Sequence, residues 1–246
     1  MTSLPTIGSS GQRLCSVIGM LDAKIERILA QRDAAEAVDI GRSQAEVLRA
    51  GDCFLKIAPR GRLERAAALQ GYFHARGLSA PLVAFDQDSE RDYLLVEAVK
   101  GRSGIEVLDR PEWLAEKLGE AVRALHELNA ADCPITDVNQ QAIALYERET
   151  GHGFVGDLSV LKRDALVHGD CCLPNVFFSK NGFSGFIDLG EGGLGDRHLD
   201  LYWAMWSLEY NLKTDAHTGR FLDAYGRDGV DEARLEVCAR LSGYDV

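Results

Sequence analysis

The sequence predicts an α+β protein of two lobes, a β-rich first lobe over residues 1–98 and an α-helical second lobe over residues 99–246. Three observations carry this. Between about residues 39 and 100, apolar residues come in short runs punctuated by Gly and Pro, with one helical stretch inserted. From Pro111 onward, long segments repeat apolar residues at helical spacing. The two regimes meet near Val99-Lys100-Gly101.

Taken in order, residues 12–31 open with a helical stripe of Leu14, Val17, Ile18, Leu21, Ile25, Ile28 and Leu29. The stretch DIGRSQAEVLRAGDCFLKIAP reads as two strands joined near Ala50-Gly51-Asp52, the first entered through Gly41. In the second strand Phe54, Lys56 and Ala58 share one face and Cys53, Leu55 and Ile57 the other. Lys56 between apolar neighbours is unusual, and its bland reading is a surface lysine on an edge strand. A helix over 63–76 follows, then a strand near 82–86, a charged turn DQDSERD, and the strand YLLVEAV. In the second lobe PEWLAEKLGEAVRALHEL begins a helix with Pro in its first turn. Further helices are expected at 138–150, across HLDLYWAMWSLEYNL, and at 231–241. The apolar face of 201–208 reads as core.

Composition narrows the partners. A net charge of −11 over 246 residues disfavours nucleic acid and anionic membranes and suits a cationic small ligand. The six cysteines, Cys15, Cys53, Cys133, Cys171, Cys172 and Cys238, form no CxxC pair, which points to a reducing, cytoplasmic setting. No signal peptide or membrane-spanning run is expected, since LCSVIGML is too short.

The chemistry concentrates in VHGDCCLPNV, residues 167–176, and in the FSGFIDLGEGG that follows. Asn181-Gly182 between two apolar runs predicts a two-residue hairpin loop. That register pairs Lys180 with Phe183 and places Asn175 directly opposite Asp188, on one face of the hairpin. A carboxylate beside a carboxamide oxygen suits Mg²⁺, with Asp170 in the preceding loop facing whatever the cation holds. Asp170 could instead be a loop cap and Asp188 a turn former. Two decoys lie nearby. His168 with Cys171 and Cys172 suggests zinc but lacks a second ligand pair. GEGGLG, residues 190–195, spells G-x-G-x-x-G. Asp188, Glu191 and Asp196 would repel a pyrophosphate there, and no parallel strand returns after it.

LVHGDCCLPNVFF and FSGFIDLGEGGLGDRHLDLYWAM closely resemble the catalytic region of the aminoglycoside phosphotransferases, relatives of choline kinases and protein kinases. IGRSQAEV, FLKIAPRG, YLLVEAVKG and LHELNAADCP fall in the family's order. The resemblance implies a protein-kinase-like fold, ATP (or GTP) and Mg²⁺ as cofactors, and phosphorylation of a small-molecule hydroxyl, most naturally on an aminoglycoside antibiotic. It makes Asp170 the catalytic residue and Asn175 and Asp188 the metal ligands. Lys56 becomes the lysine of the α- and β-phosphates. Ser43 belongs to the nucleotide-positioning loop, and the backbone at Glu97 and Val99 contacts adenine. His168 braces the catalytic loop. Glu191, Asp196 and Asp157 are candidate carboxylates for a cationic acceptor.

Four positions depart from the family pattern. Ala66 stands where a helix Glu would pair with Lys56, and Glu64 is the nearest acid. Glu191 replaces a basic residue. Only 34 residues (134–167) precede the catalytic motif where an acidic insert is common, with Asp157 and Glu147 as remnants. The sequence stops at SGYDV where relatives often carry an acidic and aromatic tail; either Tyr244 and Asp245 substitute weakly for it or the chain is trimmed. The alternatives are a kinase for a choline-like amino alcohol or a sugar, and a nucleotide-binding relative without catalysis.

Overall fold

A computed structural model describes residues 36–37 and 45–243. The helix expected over 12–31, the Gly41 entry, Ser43, Tyr244 and Asp245 lie outside the described residues. The chain forms two compact units. The first is the chain through Ala67 with Pro81–Ala98, and the second is Ala68–Ala80 with the chain from Val99 onward.

The first unit is built on one antiparallel sheet with strands β1 (Glu36–Ala37), β2 (Glu46–Ala50), β3 (Cys53–Pro59), β4 (Leu82–Gln87) and β5 (Arg91–Glu97), in the order β1-β2-β3-β5-β4. Gly51-Asp52 is the two-residue connection of the β2–β3 hairpin, since Ala50 pairs with Cys53. Alternation along β3 is as the sequence implies. Cys53, Leu55 and Ile57 pack with Leu48, Tyr93 and Leu95, while Ala58 packs with Leu63, Ala66, Ala67 and Leu94. Burial on both faces favours the apolar runs of β3 and β5. Helix α1 (Glu64–His74) starts beside a buried carboxylate: Asp92 accepts from the Leu63 amide at 2.8 Å and from Gln87 Nε2 at 2.9 Å. Gln87 Nε2 also donates to Glu64 at 2.7 Å.

The second unit is mainly helical. Its helices are α2 (Pro111–His126), α3 (Val138–Thr150), α4 (Arg197–Leu212), α5 (Thr218–Tyr225) and α6 (Glu232–Leu241). Two small sheets accompany them, β6 (Arg102–Ser103) with β8 (Val176–Ser179) and β9 (Gly182–Phe186), and β7 (Ala165–Val167) with β10 (Gly193–Gly195). Pro111 occupies the first turn of α2, where its missing N–H leaves no helical bond unmade. Leu114, Leu118, Val122 and Leu125 of α2 form one stripe into a core shared with Leu166, Leu173, Phe186, Leu201, Leu208 and Phe221. Helix α5 is not foreshadowed by periodicity. Eight residues with two buried apolar side chains, Phe221 and Tyr225, are too few to show a period.

A buried polar knot closes this unit. Asp196 caps α4 by accepting from the His198 amide at 2.9 Å, and it also accepts from the Lys162 amide at 2.8 Å and Arg234 Nε at 2.9 Å. Burial alone would raise its pKa. The hydrogen bonds from His198 and Lys162 and the Arg234 charge outweigh burial and bring it from 3.8 to about 2. A carboxylate depressed in the folded state contributes stability above its unfolded pKa of about 4, and that contribution fades as pH falls toward about 2. Thermal melts by circular dichroism between pH 5 and pH 2 should therefore show a falling Tm. Arg234→Ala, which leaves a buried anion short of its cation, should cost about 3–5 kcal/mol at neutral pH.

Candidate active site

The site grows from the loop 168–175 and the hairpin β8–β9. The hairpin forms, but in a register one residue away from that expected. Ser179 pairs with Gly182, so Lys180-Asn181 is the loop, and the ladder shifts between Phe177 and Phe178 before Val176 meets Phe186. The cause is local. The Asn181 amide donates to Ser179 Oγ at 3.2 Å, and Ser179 Oγ donates to the Gly182 carbonyl at 3.3 Å, so the serine closes the turn one residue early. In consequence Asn175 lies opposite Ile187 rather than Asp188, and the Ile187 amide donates to the Asn175 carbonyl at 3.0 Å. Asp188 is the next residue. It lies two residues past the end of β9, takes the left-handed conformation at φ 60, ψ 58, and leads into a short turn over Leu189–Glu191. Asp tolerates this region better than most side chains. Its side chain is exposed.

Asp170 and Asn175 meet. Asn175 Nδ2 donates to Asp170 Oδ2 at 2.9 Å and to the Asp170 carbonyl at 3.0 Å. With its nitrogen committed to Asp170, the remaining polar atom of that amide is the oxygen Oδ1.

The loop is pinned from beneath. Asp200, fully buried in α4, accepts from the His168 amide at 2.7 Å and the Gly169 amide at 2.8 Å. His126 Nε2 lies 3.2 Å from Asp200, and Tyr225 Oη lies 2.9 Å from His126 Nδ1. An ionised Asp200 can only accept, so Nε2 of His126 carries the proton and Tyr225 donates to Nδ1. His168 supplies the second anchor. Its Nδ1 accepts from the Asp170 amide at 3.2 Å, which leaves Nε2 to donate to the Ile187 carbonyl at 2.9 Å. One imidazole thus ties the Asp170 backbone to the end of the hairpin. Gly169 has φ +85, and a Cβ there would lie 2.2 Å from the Glu191 carbonyl, so only glycine fits between Asp170 and the Glu191 turn.

Lys56 is half-buried on β3, the central strand of its sheet, opposite Leu94, so the edge-strand reading does not hold. Glu97 is exposed, with its amide donating to the Pro81 carbonyl at 3.1 Å. Val99 packs against Gly185 in the second unit. Glu191 is exposed beside Gly169. Asp157 is exposed and caps its own turn, accepting from the Ser159 amide at 2.9 Å and hydroxyl at 2.6 Å. Asp196 is a correction: at 0% exposure, with its oxygens held by His198, Lys162 and Arg234, it cannot meet a substrate.

Both decoys acquire physical explanations. Burial pushes the Cys171 and Cys172 thiols well up, against the thiolate that zinc needs. The glycines of GEGGLG serve packing: Gly193, at φ +135, and Gly195 lie where a Cβ would press on Ile135 and Val138 at 2.7 and 2.9 Å. They form β10, antiparallel to β7, rather than a phosphate turn.

Asp200, His126 and Tyr225 escape a reading based on motifs. The available signals are an acid inside the apolar run of α4 and a histidine on the apolar stripe of α2. Both are buried polar groups that need partners.

Residues 34–152 and 157–238 match the family model of the phosphotransferase enzyme family (APH). The chain belongs to this family. A probable aminoglycoside 3′-phosphotransferase of Lactococcus lactis is 35% identical to this phosphotransferase over 215 residues, 77% of this chain and 82% of the relative. The aminoglycoside 3′-phosphotransferase of Niallia circulans is 30% identical over 227 residues, covering 80% and 85%. Among solved structures, an aminoglycoside-3′-phosphotransferase of type VIII superposes with a TM-score of 0.67 at 25% identity over 89% of this chain and 97% of that one. The α+β, protein-kinase-like fold and the phosphotransferase activity expected from the motifs are thereby shown.

Proposed function

We propose that this phosphotransferase moves the γ-phosphoryl group of ATP onto a hydroxyl of an aminoglycoside. The observation that carries the reading is the Asp170 carboxylate, half-exposed on a loop whose backbone is fixed by Asp200 and His168 and whose side chain is oriented by Asn175. Asp170 orients the acceptor hydroxyl and takes its proton as the new O–P bond forms and the bond from the γ-phosphorus to ADP breaks. The curated relatives named above support an amino-sugar acceptor, and the net charge of −11 suits a polycation.

The residues present fit a magnesium ion. Asn175 Oδ1 and the Asp188 carboxylate are hard oxygen donors, the kind of side-chain set that holds magnesium when phosphate and water complete its shell. Bound there, magnesium supplies charge neutralisation at the phosphates. We assign Lys56, Ser43 and the backbone at Glu97 and Val99 to the nucleotide, residues 1–98 to nucleotide binding and 99–246 to catalysis. Glu191 and Asp157 remain the acceptor carboxylates. A cytoplasmic setting is supported by the free thiols of Cys133, Cys171, Cys172 and Cys238. No helix among the described residues is long and apolar enough to cross a membrane.

The test is a transfer screen with ATP and magnesium against aminoglycosides, amino alcohols and neutral sugars, read by mass spectrometry. A phosphorylated aminoglycoside is the expected product. Transfer to choline or to a sugar alone would move the acceptor to that class.

A further inference from the structure

The catalytic loop is held by a carboxylate, and that carboxylate is itself held. Asp200 Oδ1 takes the Gly169 amide, while Oδ2 takes both the His168 amide at 2.7 Å and His126 Nε2 at 3.2 Å. Two of these three donors belong to the loop and move with it. Rotation of the carboxylate about its Cβ–Cγ bond, a soft torsion, would swing both loop amides together. Among the described residues, His126 is the one donor to the Asp200 carboxylate from outside the loop, so it is the contact that stops this rotation.

His126 is fixed in turn by its own surroundings. It is the last residue of α2, and Tyr225 is the last residue of α5. The two rings meet edge to face at 5.6 Å, with Tyr225 Oη 2.9 Å from His126 Nδ1. The two helices approach backbone to backbone: a Cβ on Gly119 would lie 2.4 Å from the Phe221 carbonyl. Any side chain at position 119 would push α5 away, so this glycine sets Tyr225 against His126. The Arg197 guanidinium stands beside the Tyr225 hydroxyl and only donates, which turns the phenol proton toward His126 Nδ1. A neutral histidine that accepts at Nδ1 donates at Nε2, toward Asp200.

We propose that His126 and Tyr225 are positioning residues for phosphoryl transfer, and that they set Asp170 through Asp200 and the two loop amides. Both side chains are buried, and their route to the reacting atoms runs through Asp200. The inference rests on the Asp170 reading above and is independent of which acceptor is used. The outer side of the pair makes it testable. A cavity of about 80 Å³, lined by His126, Tyr225, Arg197 and the exposed Arg123, Glu127 and Asp228, lies against it. Removing the histidine ring enlarges a space that already reaches the surface, so added imidazole has a way in.

Turnover on the full chain is read as ADP release from Mg·ATP, with kanamycin as acceptor and with water alone. His126→Ala should lower kcat by about 10²-fold, the scale of a displacement of about 1 Å at the reacting group, and leave KM for ATP unmoved. Millimolar imidazole at about pH 8, where the ring is neutral, should restore kcat saturably in this variant and do nothing for wild type or Asp200→Asn. His126→Gln, whose Nε2 still donates, should keep part of the rate. Tyr225→Phe should lower kcat about fivefold, the scale of one neutral hydrogen bond, with little change in Tm. Long-range ¹H–¹⁵N spectra should show the His126 proton on Nε2 in wild type and a mixture of tautomers in Tyr225→Phe. A folded His126→Ala with wild-type kcat, or one that imidazole does not restore, overturns the proposal, as does a wild-type proton on Nδ1. If His126→Ala does not fold, His126→Gln and Tyr225→Phe decide by kcat and by the spectra. Asp170→Asn run alongside separates the two readings. Full turnover there removes the role of Asp170 and this inference with it, whereas an inactive Asp170→Asn beside an unimpaired Tyr225→Phe overturns the positioning alone.

Discussion

Asp170→Asn should lower kcat by about 10²–10⁴-fold. The substitution keeps the side chain's size and its place on the loop. The His168 and Gly169 amides still bind Asp200, and the residue 170 amide still binds His168 Nδ1. What disappears is the negative oxygen that accepts the hydroxyl proton. Because phosphoryl transfer depends on placement and charge, one lost acceptor at the reacting atom outweighs any change elsewhere in the loop. Calorimetry should find Mg·ATP binding retained. Undiminished turnover in this variant would remove Asp170 from the proton-accepting role.

Asp200→Ala should damage both stability and turnover. It leaves the His168 and Gly169 amides and His126 Nε2 without their acceptor in a fully buried place. Two orphaned buried amides cost roughly 2–6 kcal/mol, which corresponds to a Tm lower by about 5–20 °C in a chain of this size. Asp200→Asn keeps one acceptor oxygen and should fold, yet it frees one amide of the loop. A displacement of about 1 Å at the reacting group can cost 10²-fold, so kcat should fall more than KM for ATP changes. Circular dichroism melts paired with steady-state kinetics check both variants. A stable, fully active Asp200→Ala would show that His168 alone sets the loop.

Where the residue order carried its own punctuation, it could be read directly. Gly51-Asp52 set the β2–β3 hairpin, and Pro111 opened α2. Side-chain alternation placed the two faces of β3. The hairpin after the catalytic loop was legible as a hairpin but not in its register. The Asn181-Gly182 turn preference competed with a Ser179 hydroxyl that closes the turn earlier, and only the folded geometry shows which prevails. The sole contact among Asp170, Asn175 and Asp188 that the expected register described, Asn175 with Asp188, became Asn175 with Ile187.

The linear order determined the chemical set: a glycine-bounded Asp170, Asn175 five residues on, Asp188 past the strand, and Lys56 within an apolar run. These are local features, set by spacing, turn preference and side-chain alternation. Folding decided which carboxylates remain available. Asp196 and Asp200, close in sequence to Glu191, are fully buried, one closing an ion-paired knot and the other carrying the catalytic loop. Apart from His198, in the turn that Asp196 caps, the partners named here stand 31 to 74 residues away in the chain. Burial and hydrogen-bond partnership over such separations depend on how helices pack, and no local pattern encodes them.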